Sequence, residues 1–587
     1  MVAVTGLGLA ALVEHAIWAW ACTAPVVRGD GARHAIFTVS RVREWMSGGP
    51  GPLSWLLEPL YYPTFTTVTA WPVIWAGLPG APGVRASLAL YTGVLVAGSS
   101  LAAWRVGGRR LGLAAGLAVL TVPLLWMLRT DVMLDVPLAA LVAAFLAALP
   151  LAGAVRVRLW RSLLCGVVLA VGMLTKQAMP YLAAPALAWV GLPAVWRVLR
   201  QSSGIGTSAV VCAGVMLAVG LGGGLFLKGL GWPAVLWIGV VGVGLGWLAW
   251  RRRAAHLGEL VGVGAVALVL AGPWYARSVG PILEGLRITR AAHADVPVGL
   301  DGLWRIIGMT PYTTHHLLPA PWAVALLVAV LALPWWVRRR PLLGPAFAAA
   351  VGGQLLISSF PDLHARHYAP LLAPLLVLGV GAWDALAAAV EGRRLGRGLR
   401  TVMLAVMVGH VGLMVASAWG GPRHAPVRAA DRRIPAGFPP VDLAALGRLA
   451  VAPPRLLRAA APRPDRMVLP LHQALRQVES DRKAQGVAQA GLLLVTQRIE
   501  VTGLVLAREA VGLSHLQIVE PPGQHGVQQA RQRGLTVYTI ELDLHRSAGR
   551  SASRTGWIDR QGAVPVVELP AEMAEEGGAG VLRVRRF

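Results

Sequence analysis

Long apolar runs constrain the fold of this chain more than any other feature of its sequence. A helix that crosses a bilayer needs about 20 mostly apolar residues, and such runs follow one another through the first 420 residues. We predict thirteen spans, which lie near 2–27, 84–104, 111–128, 132–152, 162–176, 180–196, 208–227, 230–250, 258–276, 319–337, 341–359, 368–388 and 400–419. The predicted class is therefore an all-α polytopic membrane protein with about 13 transmembrane helices.

The composition agrees with a membrane protein. Of the 587 residues, 56% are hydrophobic and 14% are charged, whereas a soluble domain carries about 25% charged residues. The net charge of +26 suggests nucleic-acid binding at first sight. The basic residues, however, stand in short clusters between apolar segments instead of forming one surface. We therefore predict contact with membrane lipid and no nucleic-acid partner.

The arginines between the predicted spans set the orientation. Six alternate short loops, beginning with "RVGGRR" and ending with "RRLGRGLR", hold eighteen arginines and almost no acids. The positive-inside rule places these loops and the N-terminus in the cytoplasm. An odd number of spans then places everything after residue 420 outside. We expect a multi-pass protein of the bacterial cytoplasmic (inner) membrane with a periplasmic or extracellular C-terminal part.

The loops on the opposite side carry mixed charge, aromatic residues and prolines. They are 28–83, 277–318 and 358–370. The first contains "DGARHAIFTVSRVREWM", in which apolar residues recur at helical spacing: Ile36, Val39, Val42 and Met46. This pattern predicts an amphipathic helix lying on the outer interface. Long ordered loops are uncommon unless they are functional.

The composition changes after the last predicted span. Residues 1–420 form the predicted transmembrane domain, and 421–466 form a predicted Pro/Arg-rich linker. In 467–587, three apolar strands alternate with helical segments, which predicts a small α/β domain with a parallel sheet. No glycine-rich fingerprint follows a strand there, so we assign it no nucleotide.

Three aspartates lie at the outer ends of predicted spans. Asp30 follows the first span, either as an N-cap of the interfacial helix or as a site acid, and we favour the site. In "LRTDVMLDVPLAALV", Asp131 and Asp135 stand four residues apart, and this spacing places both on one helix face. An acid inside a membrane needs water, a partner or a function. A pair with Arg129 is the alternative for Asp131.

Cations and aromatic residues accompany these acids on the same side. Lys176 ends the fifth span, as an interfacial anchor or a phosphate ligand. Arg277 in "PWYAR" is a candidate phosphate ligand, because a guanidinium grips phosphate bidentately. The twelfth span opens with four further candidates, His364, Arg366, His367 and Tyr368. We expect one cavity that opens outward and holds a charged lipid headgroup beside a second substrate.

No metal or other cofactor is firmly implied by these residues. The His-x-x-His spacing of His364 and His367 suggests a metal. Neither an acid nor a cysteine at helical spacing completes a ligand set, so we assign none. A divalent metal at the outer acidic site stays open as an alternative.

The order of these motifs resembles that of the GT-C glycosyltransferases, specifically the aminoarabinose–lipid A transferases and protein O-mannosyltransferases. The resemblance covers residues 1–420 and rests on "LLEPLYYPTFTTVTAW", "LDVPLAAL", "GMLTKQ", "PWYAR" and "ARHYAPLLAPLL". It implies an enzyme that moves a sugar from a polyprenyl-phosphate carrier to a lipid, glycan or protein acceptor. Gly31 after Asp30 departs from the Asp-Glu pair of the mannosyltransferases, which weakens that branch of the resemblance.

The resemblance also assigns roles to residues. Asp30 and Asp135 become the catalytic acids, and Lys176, Arg277 and Arg366 become ligands of the carrier phosphate. The remaining substrate-binding candidates are Glu58, Tyr61, Tyr62, Asp131, His364, His367 and Tyr368.

The alternative function is that of a multi-pass transporter or lipid flippase. It predicts inverted repeats and interrupted helices with charges near the midplane. No such duplication is visible, and the charges lie toward the outer end of the spans.

Overall fold

The computed structural model describes most of the chain, in segments. They are residues 2–21, 29–76, 81–128, 132–150, 155–201, 255–292, 343–358, 365–389, 393–420, 468–494, 504, 508, 513, 515–519, 524–544, 558, 563–573 and 578–587. The part up to residue 420 is helical, and the part after 467 contains a five-stranded sheet.

Fourteen α-helices are described in the N-terminal part of the chain. Helices α1 to α7 are Val2–Ala21, Gly29–Met46, Pro52–Trp55, Phe65–Trp75, Ala81–Gly107, Arg109–Leu120 and Pro123–Leu128. Helices α8 to α14 are Asp135–Ala148, Val155–Met173, Met179–Gln201, Ala255–Ala292, Leu343–Ser358, Leu372–Ala389 and Arg393–Gly420. A 3-10 helix over Ala365–Leu371 directly precedes α13.

Within these described residues, four helical stretches are long and apolar enough to cross a membrane. They are Val2–Trp20, Gly83–Gly107, Glu259–Ile288 and Arg366–Ala385. Two shorter helical stretches, Asp135–Ala148 and Leu159–Met173, are also apolar. Predicted spans 208–227, 230–250 and 319–337 lie outside the described residues. The polytopic helical class therefore holds, and the count of thirteen spans stays a prediction.

Helix α5 packs against both α1 and α8 through small residues. A Cβ at Gly8 of α1 would come within 2.8 Å of Ala97 Cβ, and one at Gly93 would come within 2.9 Å of Leu12 Cβ. On the other side, a Cβ at Gly98 would lie 2.8 Å from the backbone nitrogen of Ala144 in α8. Small residues let helix backbones approach closely, which is a common means of association in lipid. These contacts fix the position of α8, which begins at Asp135.

The helices in two of the predicted spans have different bounds from those spans. The predicted span 111–128 is divided into α6 and α7, and the break falls just before Pro123. Proline suits the first position of a new helix because it has no N–H to leave unpaired. Trp126 Nε1 donates across this break to Leu120 O at 2.9 Å. The helix bounds therefore differ here from those of the predicted spans 111–128 and 132–152.

The predicted pairing of Asp131 and Asp135 on one helix face is described for Asp135 only. Helix α8 starts at Asp135, and residues 132–134 form a turn before it. An acid in the first turn interacts favourably with the helix dipole, and Pro137 is tolerated there because first-turn N–H groups lack helical partners. Asp131 itself lies outside the described residues.

Helix α11 is longer than predicted. It continues to Ala292 through Pro273 and Pro281, so the first part of the predicted loop 277–318 is helical. Each proline removes one hydrogen bond from the helix but does not end it here. Arg277 therefore projects from the middle of a helix rather than from a loop.

The predicted amphipathic helix is confirmed as α2. Val39 and Val42 are buried in a small cluster with Trp55 and Ile74, whereas Met46 is 61% exposed. Helices α3 and α4 complete this unit, so the segment predicted as a long outer loop is largely helical. It packs on α5 through Val84 of the same cluster.

The C-terminal sheet is mixed rather than parallel. Its strands are β1 Ala490–Leu494, β2 Gln517–Ile518, β3 Thr536–Leu544, β4 Val564–Met573 and β5 Gly578–Arg586, in the order β2-β1-β3-β5-β4. The three predicted strands pair in parallel. The unpredicted strands β4 and β5 add an antiparallel hairpin to β3. Helices α15 (Val468–Ala484) and α16 (Gln524–Gln532) complete the described part of this α/β unit. The boundaries 421–466 and 467–587 stay predictions.

Glu479 of α15 is predicted to stabilise the C-terminal unit in a pH-dependent way. Hydrogen bonds from Arg482, followed by His515, hold the pKa of Glu479 at about 2, below its ordinary value of 4.5. A lowered carboxyl pKa contributes stability above pH 4.5 that is lost as the pH falls towards 2. We expect Glu479→Gln to cost about 1–2 kcal/mol at neutral pH and nothing at low pH. Hydrogen exchange of the β1 and β3 amides in the full chain, corrected for intrinsic rates, measures this difference.

The matched control for this prediction is Glu568→Gln. Glu568 also accepts a hydrogen bond from an arginine, Arg583 Nε, at 2.8 Å, but its side chain is 58% exposed. Exposed ion pairs contribute about 0–1 kcal/mol, so this variant should exchange like the wild type. If the β1 and β3 amides of the Glu479→Gln variant were as well protected as those of the wild type at neutral pH, the predicted contribution of Glu479 would be contradicted.

Candidate active site

Asp135 and Lys176 form a buried ion pair at the start of α8. Lys176 Nζ lies 2.7 Å from Asp135 Oδ1, and the Asp135 side chain is 3% exposed. Arg366 Nε lies 4.0 Å from the second carboxylate oxygen, Oδ2. His367 follows Arg366 in the chain and adds a basic side chain near this carboxylate. The structure therefore brings together four candidates from three separate stretches of the sequence, and we call them the Asp135 cluster.

The turn between α9 and α10 presents Lys176 to this cluster. The backbone N–H groups of Thr175 and Lys176 both donate to Gly172 O, at 3.1 and 2.9 Å. Gly172 has no side chain, and a Cβ there would collide with Met179 at the start of α10. Because the turn is this tight, the Lys176 side chain leaves it close to the first turn of α8.

The 3-10 helix supplies the other two basic residues. It carries Arg366, His367 and Tyr368 next to one another, and Tyr368 is fully buried while Arg366 is 6% exposed. The 3-10 form eclipses residues three apart, so consecutive side chains point in different directions. Tyr368 can therefore fill the core while Arg366 faces Asp135.

Asp135 is the shared partner of two cations. Its carboxylate faces the ammonium of Lys176 and the guanidinium of Arg366. Burying charge is costly unless the charge is paired, so these side chains hold one another in place. An ammonium and a guanidinium are also the groups that bind phosphate in proteins.

The segment 58–65 lies against the Lys176 turn. Gln177 Nε2 donates a hydrogen bond to Tyr61 O, and the Phe65 N–H donates to Leu174 O at 3.2 Å. Tyr61 and Tyr62 pack edge to face, with ring centroids 4.6 Å apart. These contacts place the two tyrosines next to the turn that carries Lys176.

The same segment is tied to helix α2. The Tyr62 ring meets His34 edge to face at 5.3 Å, and Arg41 donates a hydrogen bond to Glu58. Arg41 also bonds Glu44 at 2.6 Å. Because Glu58 is paired with Arg41, it holds the segment to α2, and its predicted role in substrate binding stays a prediction.

The remaining predicted site residues are placed differently. Asp30 is the second residue of α2, so it lies within the first turn and not at the cap, and its side chain is outside the described residues. Asp131 and His364 are also outside them. Arg277 is exposed on α11, and of the two candidate arginines it is Arg366 that reaches the Asp135 cluster.

Acids and histidines do not gather into a metal site in the described part of the chain. No group of three or more His, Cys, Asp or Glu side chains with suitable spacing occurs among the described residues. Asp135, the buried acid of the cluster, is neighboured by cations instead.

Three residues of this region escaped the sequence analysis. Gln177 stands beside Lys176 in "LTKQ", and Arg41 lies four residues before Trp45 on an amphipathic helix. Gly285 lies against the Tyr61 ring, which would overlap a Cβ at that position. No local pattern identifies a glycine or a glutamine that contacts a distant segment, whereas the Arg41–Glu58 pair joins opposite charges of the same predicted loop.

The sequence matches no protein-family model and no curated protein. Two solved structures of ArnT from Cupriavidus metallidurans, in the apo state and bound to undecaprenyl phosphate, share 17% sequence identity with this chain at a TM-score of 0.52. Each match covers 98% of this chain and 97% of that chain.

A third solved structure is more distant. The archaeal oligosaccharyltransferase AglB from Archaeoglobus fulgidus, in complex with an inhibitory peptide and a dolichol-phosphate, has 12% identity and a TM-score of 0.42. That match covers 91% of this chain and 69% of AglB. The resemblance predicted from the motifs is confirmed at the level of fold by the ArnT structures, because they match almost the whole of both chains. This chain is a multi-pass membrane protein with the fold of ArnT.

Proposed function

We propose that this protein is a membrane glycosyltransferase that moves a sugar from a polyprenyl-phosphate carrier to an acceptor. The observation that carries the proposal is the Asp135 cluster, in which Lys176 and Arg366 flank one buried carboxylate. It occurs in a fold shared with ArnT, a protein whose solved structure contains undecaprenyl phosphate. The sequence motifs that resemble GT-C transferases include each of these three residues.

In this proposal, Lys176 and Arg366 hold the carrier phosphate, and His367 adds to the positive charge. Asp135 orients the two cations through its two carboxylate oxygens. As the bond between the sugar and the phosphate breaks, negative charge develops on the leaving phosphate. Cations that are fixed in advance stabilise this charge more in the transition state than in the ground state.

Asp30 is the proposed general base. It would accept the proton of the acceptor hydroxyl or phosphate as the acceptor attacks the anomeric carbon. Asp30 lies one helical turn before His34, which packs on Tyr62, and Tyr61 is bonded to the residue after Lys176. The short chain of contacts from His34 to Gln177 supports a common site for the base and the phosphate ligands.

The arginine distribution supports the orientation of this site. We propose a bacterial cytoplasmic membrane protein with a cytoplasmic N-terminus, its site on the outer face and the C-terminal α/β unit outside the membrane. The acceptor class is a lipid, a glycan or a protein. Arg277 and Glu58 remain proposed substrate contacts on the sequence resemblance.

Carrier binding by the purified full-length protein in lipid nanodiscs tests the proposal. We expect undecaprenyl phosphate to raise the Tm, because a ligand that binds only the folded state stabilises it. A panel of sugar-loaded undecaprenyl phosphates should then release the bare carrier when an acceptor extract is added. Movement of the loaded carrier between leaflets without release of sugar would indicate a flippase instead. No shift with either carrier form would overturn the proposal.

A further inference from the structure

Tyr61 is held from two sides by residues that have no assigned role. Its carbonyl oxygen accepts the hydrogen bond from the Gln177 side chain on the Lys176 turn. Its ring lies so close to Gly285 of α11 that a Cβ there would overlap the ring. The Phe65 N–H donates to Leu174 O at 3.2 Å and fastens the same segment a second time. The position of Tyr61 is therefore set by two separate elements, the α9–α10 turn and α11.

The two tyrosines bridge the two ends of the proposed site. Tyr61 contacts the neighbour of Lys176, while the ring of Tyr62 contacts His34, one turn after Asp30. In the proposed reaction, the carrier phosphate is held at Lys176 and the acceptor is activated at Asp30. The sugar that is transferred must therefore lie between these two ends. The Tyr61–Tyr62 pair joins these two contacts, with ring centroids 4.6 Å apart.

We propose that Gln177 and Gly285 are positioning residues that fix the Tyr61–Tyr62 pair as one wall of the sugar subsite. The inference rests on the proposed function. A tyrosine ring offers an apolar face and a polar hydroxyl, which suits a sugar with C–H faces and hydroxyl groups. Gln177 acts on this wall through the backbone of Tyr61, and Gly285 acts by leaving room for the ring.

The effect of Gln177 is separable from that of Lys176 beside it. The Gln177 amide is directed at Tyr61 O, whereas Lys176 Nζ is directed at Asp135. Loss of the Gln177 amide should therefore loosen the wall and leave the phosphate ligands in place. The affinity for the sugar-loaded carrier should therefore fall, while the affinity for the bare carrier should stay at the wild-type value.

Binding constants for two forms of the carrier test this inference in the full-length protein. The probes are undecaprenyl phosphate and whichever of undecaprenyl phospho-aminoarabinose, phospho-mannose or phospho-glucose the wild type binds most tightly. We expect Gln177→Ala to weaken binding of the loaded carrier by about fivefold, the effect of one lost hydrogen bond. Gly285→Ala should weaken it as well, because the new Cβ displaces the Tyr61 ring. Neither substitution should change binding of the bare carrier. The double variant should bind the loaded carrier about as weakly as the weaker-binding single variant does, because both substitutions release Tyr61.

Gly280→Ala is the matched control, since it lies in the same helix and a Cβ there meets nothing within 4 Å. It should bind both carriers like the wild type. Equal weakening of both carrier forms, or no weakening of the loaded form by Gln177→Ala, would overturn the inference. If Gly285→Ala fails to fold, Gln177→Ala decides alone, because it shortens one side chain of a turn. If the wild type binds neither form, the proposed function itself fails.

Discussion

Replacing Lys176 with glutamine is expected to weaken undecaprenyl phosphate binding by about tenfold and sugar transfer by about 100-fold. The Lys176 ammonium lies 2.7 Å from Asp135 Oδ1, whereas Arg366 lies 4.0 Å from Oδ2. Arg366 and His367 remain in the variant, so part of the ground-state binding is kept. Transfer suffers more because the charge on the leaving phosphate grows as the sugar departs, and the closest compact cation is then missing.

A second variant separates this effect from a loss of folding. Removing one partner of a buried ion pair costs about 3–5 kcal/mol, so Lys176→Gln alone should also lower the Tm. The double variant Asp135→Asn with Lys176→Gln removes both charges. We expect it to recover much of the Tm without recovering carrier binding. Recovery of binding together with stability would show that Lys176 acts only through the fold.

Lys483→Gln is the matched control for the same substitution. Lys483 lies in α15 with a side chain that is 69% exposed, and it pairs with Glu479 at 3.4 Å. An exposed pair of this kind contributes little to stability. Undecaprenyl phosphate should bind this variant as it binds the wild type, in nanodiscs of the same lipid composition.

The helical architecture could be predicted from the sequence because apolar length is a local property. The break at Pro123 carries its own signal, since proline favours the first position of a helix, but a continuous apolar run hid it. The extension of α11 past Pro273 and Pro281 carries no such signal, because proline usually ends a helix. Its continuation depends on packing with neighbouring helices.

The hairpin β4–β5 was missed for a different reason. Strand β4 contains Pro565 and Pro570, which argue against a strand in the interior of a sheet. Its place at the edge of the sheet makes these prolines tolerable. The alternation in β5, where Leu582 and Val584 are buried, was the available signal.

The membership of the candidate site could be predicted only in part. Lys176, Asp135 and Arg366 were found because each closes or opens an apolar run, where charge is expensive. The sequence could not show that Arg366, and not Arg277, lies beside Asp135, because this depends on which helix ends meet. The contacts of Gln177 and Gly285 with Tyr61 are tertiary in the same sense.

Replacing Asp30 with asparagine is expected to abolish most of the transfer while leaving carrier binding intact. Asparagine has nearly the same size as aspartate but cannot take up the acceptor's proton, and loss of a general base lowers kcat by about 10²–10⁴. Asp30 lies on α2, whereas the proposed phosphate ligands lie on the α9–α10 turn and the 3-10 helix. The Kd for undecaprenyl phosphate, measured beside kcat in the same nanodiscs, should therefore stay at the wild-type value.

The control for this substitution is Asp384→Asn in α13, at a carboxylate that pairs with Arg400 at 2.9 Å. Asp384 stands 18 residues after Arg366 in one helical stretch, which separates the two by roughly 30 Å. Its loss should leave both kcat and Kd unchanged. If the Asp30→Asn variant transferred sugar at the wild-type rate, Asp30 would not be the general base. Parallel loss of kcat and carrier binding would instead place Asp30 among the groups that organise the phosphate site, since a proton acceptor acts on the acceptor and has no contact with the bare carrier.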